Sequence, residues 1–282
     1  MTVIAITGST GKIGGLIARH LSEAGIPARL LVRDRARAPQ LRHTKVVECS
    51  YGDAEASQAA LKGVEVLFMA SAHESDNRVD EHKTFIASAA AAGVRHIVYL
   101  SFTGASARSA FTLARDHGAT EDYIRASGMT WTFLRDNFYA EVFPYFADKN
   151  GVIRGPAGIG RVAPVSQVDV AAVAAHILRD PQTHSHSTYD LTGPQALTMD
   201  EIAEVLTRVT GKTHTFANET IAEAKASRAH YGAPDWQVDA WISTYTAIRD
   251  GELNAVSADV GRILRRPATG FAEAVARSLA TA

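Results

Sequence analysis

The stretch Thr7-Gly-Ser-Thr-Gly-Lys-Ile-Gly14 decides the fold of this 282-residue chain. It directly follows the apolar run Thr2 to Ile6, and Gly8, Gly11 and Gly14 give it a GxxGxxG spacing. Bare glycine backbone between a strand and a helix lets a pyrophosphate approach the helix N–H groups, which carry partial positive charge. The pattern therefore predicts a dinucleotide-binding loop.

A glycine triplet also occurs in ordinary turns, so the neighbouring sequence has to decide between the two. A short buried strand precedes the loop, and apolar residues recur at helical spacing from Ile13 to Leu21 behind it. Gly25 and Pro27 then stop the helix, and a second strand is predicted for Ala28 to Val32. This context completes a βαβ unit and favours the binding loop.

The end of the second strand indicates which dinucleotide binds. An acidic side chain at this place holds the ribose of NAD, whereas an arginine accommodates the extra phosphate of NADP. The strand ends in Arg33, with Arg35 and Arg37 close behind. A guanidinium pairs with a phosphate through two parallel hydrogen bonds. We therefore expect NADP(H) to be preferred over NAD(H); the alternative is a surface ion pair of Arg33 with Asp34.

Composition narrows the class of protein. With 46% hydrophobic residues the chain can bury a sizeable core, and a net charge of -1 suggests neither a nucleic-acid nor a membrane partner. The single cysteine, Cys49, fits a reducing compartment, and no apolar stretch is long enough to span a bilayer. We expect a cytoplasmic protein. His184-Ser-His186 lacks further ligands nearby, so we expect no metal site.

Strand and helix patterns alternate through the first half of the chain. The alternation predicts the α/β class, with a Rossmann-type, doubly wound parallel sheet. The further strands are predicted at Lys45–Cys49, Val64–Ala70, His96–Phe102 and Thr130–Arg135, with helices at Ala54–Leu61 and Val79–Ala92. Because ligands of such sheets lie beyond the carboxyl ends of the strands, the residues that follow each strand are the binding candidates.

After Tyr139 the alternation loosens. We expect residues 1–150 to form the NAD(P)-binding Rossmann domain and residues 151–282 to form mainly a smaller C-terminal α/β substrate lobe, with segments returning to the Rossmann sheet. A long helical stretch is predicted for Ile221–Arg249. Its aromatic residues either pack in the core or line a wall for a planar substrate, and they are Tyr231, Trp236, Trp241 and Tyr245.

Several stretches resemble a known family. They are the glycine loop, the Tyr51-Gly-Asp53 turn, the run Leu134-Arg-Asp-Asn-Phe-Tyr-Ala-Glu141, and the later segments Val165–Val170 and Tyr189–Gly193. Over essentially its whole length the chain resembles the NmrA-like branch of the atypical short-chain dehydrogenases. Within that branch it is similar to the bacterial NAD(P)H:quinone oxidoreductases and triphenylmethane reductases.

The resemblance implies cofactor contacts position by position. It places the pyrophosphate at Gly8 to Lys12, the 2′-phosphate at Arg33, the adenine edge at Asp53, the adenosine ribose side at Ser71 to His73, and the nicotinamide end at Asn137 to Tyr139. The full set of expected cofactor-binding residues is Thr7, Gly8, Ser9, Thr10, Gly11, Lys12, Ile13, Gly14, Arg33, Asp53, Ala70, Ser71, Ala72, His73, His117, Asn137, Phe138 and Tyr139.

The chain departs from the family pattern at the catalytic pair. Typical short-chain dehydrogenases use a tyrosine as proton donor and a lysine four residues later. The resemblance places Leu113 in the tyrosine position and His117 in the lysine position. His117 is the candidate catalytic residue, since a ring nitrogen can hydrogen-bond the ribose. The alternative is a surface histidine that caps a helix beginning at Gly118.

The missing acid favours certain acceptors. Reduction of an ordinary ketone creates a basic alkoxide that needs a positioned acid, whereas a reduced quinone delocalises its charge and can take a proton from solvent. Triarylmethane cations gain a hydride and need no proton. We therefore expect an NAD(P)H-dependent reductase of quinones or similar conjugated acceptors. Its partner is a small planar conjugated substrate, and a homodimer is left open.

Two other functions are weighed against this one. A nonenzymatic, NADP-sensing regulatory protein of the NmrA type would bind the dinucleotide and change its affinity for a protein partner. A sugar-nucleotide epimerase or ketoreductase is disfavoured, because the acid position is empty.

Overall fold

The computed structural model describes residues 2–280. The strands are β1 (Ile4–Thr7), β2 (Ala28–Val32), β3 (Thr44–Glu48), β4 (Val66–Met69), β5 (His96–Phe102), β6 (Thr130–Asp136), β7 (Val152–Gly155), β8 (Arg161–Val162), β9 (Ser187–Leu191), β10 (Leu197–Thr198) and β11 (Thr215–Asn218). Seven of them form the main sheet, in the order β3-β2-β1-β4-β5-β6-β9.

The helices follow the strands in alternation through the first half of the chain. They are α1 (Lys12–Glu23), α2 (Ala54–Leu61), α3 (Arg78–Ala91), α4 (Thr112–Ala126), α5 (Gln167–Arg179), α6 (Met199–Thr210), α7 (Ile221–Arg228), α8 (Asp235–Arg249), α9 (Asp259–Leu264) and α10 (Phe271–Ala280). Short 3-10 turns cover Arg35–Arg37, Ala140–Phe146, Pro181–His184 and Ala229–Tyr231.

Strand β1 lies between β2 and β4 and pairs in parallel with both, with Ile4 opposite Ala28 on one side and Val66 on the other. The chain winds outward from β1 to β3 and then returns to continue from β4, so the strand order reverses beside β1. In open α/β sheets the ligand binds in the crevice outside the carboxyl ends of the strands at this reversal. The topology therefore puts the loop after β1 at the expected binding position.

Burial explains why these residues form the sheet. Every residue of β1, β4 and β5 is buried, as parallel strands covered on both faces require. Helix α1 buries Ile13, Ile17 and Leu21 at helical spacing. Phe85 and Tyr99 belong to the buried hydrophobic cluster of the same unit. The predicted α/β class with a Rossmann-type, doubly wound sheet is confirmed.

The chain divides into two compact units. The first comprises the chain up to Phe102 together with Asp116–Arg135 and Val170–Tyr189, and the second comprises Thr103–Arg115, Asp136–Asp169 and the chain from Asp190 onward. The second unit contains two small sheets, in which β8 pairs with β10 antiparallel and β7 pairs with β11 parallel. Within residues 2–280, no helix has the length and apolar character needed to cross a bilayer.

The predicted elements of the first half agree with the structure to within two residues. The single long helix predicted for Ile221–Arg249 is wrong, because Gly232 adopts a φ of 61° and Pro234 precedes α8. The aromatic residues of this stretch differ in exposure. Tyr245 is buried, Trp236 and Trp241 are half-buried and Tyr231 is exposed.

Candidate functional site

Two glycines shape the loop between β1 and α1. Gly8 has a φ of 66°, a left-handed conformation that residues with a side chain disfavour. A Cβ atom at Gly14 would lie 2.4 Å from the carbonyl oxygen of Gly8, so only glycine lets α1 start this close to the loop. The N–H of Gly11 donates to the carbonyl oxygen of Gly8 at 2.9 Å and closes the turn.

Unused hydrogen-bond donors line this loop. Gly11 is the N-cap of α1, it provides no side-chain cap, and the first turn contains no acidic residue. Helical bonding begins with the N–H of Gly15, which donates to Gly11 at 3.0 Å, so the N–H groups of the turn before it have no helical acceptor. The Oγ atom of Ser9 is buried and has no hydrogen-bond partner within residues 2–280. A pyrophosphate would accept from these donors, so the residues present fit a dinucleotide.

The remaining residues of the loop differ in how far they are exposed to solvent. Thr10 and Lys12 are exposed, and Ile13 packs in the core. The side chains that flank the loop can therefore approach a ligand from solvent, while the helix behind it is anchored by its apolar face.

Arg33 directly follows β2 and is exposed. In the part of the chain that the structure describes, the carboxylate of Asp34 does not pair with Arg33. Its Oδ1 atom accepts from the N–H of Ala36 at 2.9 Å and caps the next turn. The Arg33 guanidinium is thus available to a phosphate.

Asp53 begins α2. Its Oδ1 accepts from the N–H of Ala56 at 2.9 Å, which is ordinary N-cap geometry. Capping uses one of the two carboxylate oxygens, and the adenine contact implied by the resemblance stays a prediction.

A polar contact ties the glycine loop to the segment Ala70–His73, here called the β4 loop. The hydroxyl oxygen of Tyr51 lies 2.6 Å from both the Oγ1 atom of Thr7 and the carbonyl oxygen of Ala70. The N–H of Ala70 donates to the same Oγ1 atom at 2.9 Å. The structure therefore brings together two of the segments expected to bind the cofactor. In the β4 loop Ser71 is half-buried and His73 is exposed.

His82, a residue that sequence reasoning missed, holds the β4 loop from α3. Its Nε2 atom accepts from the N–H of Ala72 at 2.8 Å, and its Nδ1 atom lies 2.8 Å from the Oγ1 atom of Thr120. Burial, with the nearby charge of Arg78, lowers the pKa of His82 to about 3. Because Nε2 accepts, the proton of the neutral ring lies on Nδ1 and is donated to Thr120.

His117 lies within α4 and is 7% exposed. Its Nε2 atom lies 3.1 Å from the Nη2 atom of Arg78, and its Nδ1 atom lies 2.9 Å from the hydroxyl oxygen of Tyr99. Burial lowers the pKa of His117 well below its ordinary value, and the charge of Arg78 adds to the effect. Both ring nitrogens are therefore engaged by neighbouring side chains.

The alternative of a surface histidine that caps a helix from Gly118 is wrong. Helix α4 begins at Thr112, so His117 is an interior position of the helix, and its side chain is buried. The segment 112–117 mixes apolar, small and charged residues, so the sequence alone shows no clear helix start.

Sequence reasoning also missed Arg78, the first residue of α3. Its side chain is 5% exposed, and its Nη1 atom lies 3.6 Å from Oδ2 of Asp116. Its Nε atom has no hydrogen-bond partner among the described residues. A signal was present in the sequence. A cation is disfavoured at the N-terminus of a helix, where Asp80 and Glu81 are the expected residues, so an arginine there indicates a specific role.

Asn137, Phe138 and Tyr139 belong to the second unit and follow the end of β6. The Nδ2 atom of Asn137 donates to the carbonyl oxygen of Leu253 at 3.0 Å, and its Oδ1 atom accepts from the N–H of Phe138 at 2.8 Å. The amide of Asn137 is thus used inside the unit. The N–H of Val165 donates to the carbonyl oxygen of Phe138 at 2.9 Å and fixes the backbone of the segment.

Asp136, the last residue of β6, pairs with Tyr139. The Tyr139 hydroxyl is hydrogen-bonded to the Oδ2 atom of Asp136, which is 4% exposed. Burial raises the pKa of Asp136 to about 8, and burial together with the adjacent carboxyl raises the pKa of Tyr139 well above its ordinary value. The sequence offered Tyr139 as a candidate but gave no sign that Asp136 is buried.

The chain is similar to known proteins over nearly its whole length. Residues 1–230 match the model of the NmrA-like family. Quinone oxidoreductase 2 of Escherichia coli is 34% identical over 281 residues, which cover 97% of each chain. The NAD(P)H azoreductase of Xenophilus azovorans is 32% identical over 277 residues, which cover 96% of each chain.

Two solved structures of nicotinamide-dependent reductases also resemble the chain over nearly its whole length. An NADPH-dependent quinone oxidoreductase of Escherichia coli complexed with NADPH superposes with a TM-score of 0.89 at 32% identity, covering 98% of this chain and 99% of that one. The Citrobacter sp. triphenylmethane reductase complexed with NADP(H) superposes with a TM-score of 0.85 at 30% identity, with the same coverage.

Proposed function

Because the chain belongs to the NmrA-like family, we propose that it is an NAD(P)H-dependent reductase that transfers a hydride to a quinone or a similar conjugated acceptor. The resemblance based on the glycine loop and on Leu134–Glu141 is confirmed by this family membership. The relatives named above pair a nicotinamide cofactor with quinone, azo or triphenylmethane compounds, all of which are conjugated.

The observation that carries the proposal is the glycine loop, where the buried Ser9 hydroxyl and the first turn of α1 offer donors without an acceptor. In this proposal the loop holds the pyrophosphate and the β4 loop borders the adenosine ribose. Arg33 binds the 2′-phosphate, so NADP(H) is preferred over NAD(H). When bound, the nicotinamide supplies the hydride.

The proposal includes the absence of the usual Tyr/Lys pair. Leu113 has no proton to give, and His117 is neutral with both ring nitrogens engaged. This geometry supports His117 as a positioning residue that fixes Arg78 rather than as a proton donor. A conjugated acceptor does not need an acid at the Leu113 position, because its added charge is spread over the ring and its far oxygen until a proton is taken up.

Oxidation of NADPH by the purified protein tests the function, with a quinone, a triarylmethane dye and a simple ketone as acceptors. We expect fast reduction of the quinone and the dye and much slower reduction of the ketone, because a simple ketone cannot delocalise the charge that it gains. The Gly11→Val variant, whose cofactor site is filled, serves as the control and should be inactive. Binding of NADPH without reduction of any conjugated acceptor would support the NADP-sensing regulator instead.

A further inference from the structure

We propose that Asp136 and Tyr139 form a proton-sharing pair that delivers the proton taken up by a reduced quinone. This inference rests on the proposed function and makes it more specific, since the sequence pointed to solvent as the proton source. It assigns Tyr139 a catalytic role and makes Asp136 the group that reprotonates it.

Few titratable groups surround Asp136 and Tyr139. Asp136 ends β6 and is almost fully buried, and the titratable group that faces it is Tyr139. Tyr139 in turn faces Asp136 and Glu141. Glu141 is engaged elsewhere, because its Oε1 atom accepts from the hydroxyl of Ser166 at 2.9 Å and from the N–H of Gln167 at 3.0 Å at the start of α5.

The pair holds two protons at neutral pH. Burial raises the pKa of Asp136 to about 8, so the carboxyl group stays mostly protonated, and the Tyr139 hydroxyl is protonated as well. In the structure the Tyr139 hydroxyl donates its proton to the Oδ2 atom of Asp136, and the second proton is on the carboxyl group. When the carboxyl group donates to the phenol oxygen instead, the Tyr139 proton is released toward a ligand and the internal hydrogen bond is retained.

The backbone keeps the donor in place. Val165 bonds to the chain on both sides of Tyr139, since its N–H donates to Phe138 and its carbonyl oxygen accepts from the N–H of Ala140, each at 2.9 Å. Tyr139 is half-buried, so part of its side chain is open to solvent while its hydroxyl is held against Asp136. Because Asp136 and the backbone already order this side chain, little conformational entropy is lost when it acts.

The other candidates cannot supply this proton. The one ring proton of neutral His117 is donated toward Tyr99, and its other nitrogen accepts from Arg78. The amide of Asn137 is used by Leu253 and Phe138 and does not ionise near neutrality.

A quinone that has gained a hydride is a hydroquinone monoanion. The O–H bond of Tyr139 breaks, and a new O–H bond forms on the acceptor oxygen. The carboxyl proton of Asp136 then passes to the phenolate oxygen of Tyr139, and Asp136 recovers a proton from water. The quinone is the oxidant and NADPH the reductant, as in the proposed function.

A comparison of two acceptors tests the pair, because a triarylmethane cation gains a hydride without needing a proton. For Tyr139→Phe we expect kcat with a quinone to fall by about a hundred-fold. With the dye, kcat should stay within about two-fold of the wild-type value. Tyr145→Phe, which alters an exposed tyrosine, is the matched control and should leave both rates unchanged.

The pH profile and an infrared spectrum provide independent readouts. With a quinone, the wild-type rate should decline as pH rises through about 8, and Asp136→Asn should be slower and lack that decline. The infrared spectrum of the wild type at neutral pH should show the carbonyl stretch of a protonated carboxyl group, which Asp136→Asn should lose.

Four results would contradict the proton-sharing pair or the proposed function. If Tyr139→Phe loses activity equally with the quinone and with the dye, the role of Tyr139 is structural. If its quinone rate is unchanged, solvent provides the proton. Either result overturns the proton-sharing pair. A wild type that reduces neither acceptor overturns the proposed function and the donor role with it. An infrared spectrum without a protonated carboxyl group overturns the proton-sharing pair whatever the activity.

Discussion

The Nη2 atom of Arg78 lies 3.1 Å from the Nε2 atom of His117. Because a guanidinium can only donate, this contact requires an unprotonated Nε2 atom and places the ring proton on Nδ1, toward Tyr99. Burial and the charge of Arg78 both lower the pKa of His117, in agreement with that state. A histidine held in this way can orient its neighbours but has no acidic proton to give at neutral pH.

Removal of the His117 side chain should therefore affect cofactor binding more than chemistry. In His117→Ala we expect KM for NADPH to rise and kcat to fall by no more than about ten-fold, because an orienting contact is lost rather than an acid. Steady-state kinetics with a quinone measures both. Tyr99→Phe, which removes only the hydroxyl on the other side of the ring, should have a smaller effect. A collapse of kcat by several orders of magnitude would show that His117 is a catalytic acid.

Arg33 should determine the cofactor preference. Loss of a charge-assisted hydrogen-bonded contact costs about 1.5 to 3 kcal/mol, so Arg33→Ala should weaken NADPH binding by roughly ten- to a hundred-fold and leave NADH binding nearly unchanged. Titration of both cofactors measures the two affinities. Arg35→Ala is the matched control, because Arg35 is also exposed but lies 3.9 Å from Glu48. Equal losses for NADPH and NADH in Arg33→Ala would contradict a role in 2′-phosphate recognition.

The two glycines at the start of α1 should respond differently to substitution. A Cβ atom at Gly11 would meet the Gly8 carbonyl oxygen at 3.3 Å, a tight but tolerable contact, so Gly11→Val should fold and lose NADPH binding. At Gly14 the same distance is 2.4 Å, and Gly14→Ala should lower the free energy of unfolding by about 1 to 3 kcal/mol.

Circular dichroism, urea unfolding and NADPH titration of these variants separate binding from folding. A folded Gly11→Val protein that still binds NADPH at micromolar concentration would overturn the assignment of the loop.

Buried histidines should make the fold sensitive to acid. Burial is the main cause that lowers the pKa of His96 to about 4, and the nearby His186 and His184 add to it. A histidine with a depressed pKa in the folded state contributes stability that is fully present above its unfolded pKa, about 6.5, and is lost as pH falls toward 4. The free energy of unfolding should decline over this window, and less steeply in His96→Gln.

Urea unfolding at a series of pH values measures that decline, and His230→Gln, at an exposed position, is the control. Parallel pH profiles of His96→Gln and the wild type would show that protonation of His96 is not coupled to unfolding.

Local sequence patterns were sufficient for the sheet and for the position of the glycine loop between β1 and α1. Helix α2 and strand β5 have the bounds that the apolar pattern predicts, because each is set by buried residues close together in the chain. The break between α7 and α8 was missed, since it depends on Gly232 and Pro234 within a stretch whose aromatic residues fit a helical pattern.

The polar clusters could not be predicted in the same way. Arg78 and His117 are 39 residues apart, and only the tertiary fold places them in contact and removes them from water. Asp136 and Tyr139 are close in sequence, but the burial that keeps the carboxyl protonated depends on the packing around the end of β6. Spacing alone therefore identifies residue types, whereas their protonation states follow from burial.

The difference between Gly14 and Arg33 has a consequence for how such a protein can change over generations. Gly14 is locked against the backbone of Gly8, so mutation there threatens the fold itself. Arg33 is exposed at a strand end, and its replacement costs the core nothing. With Arg33 in its proposed role, selection can redirect the protein from one cellular pool of reducing equivalents to the other through a surface position, while the glycine loop stays intact.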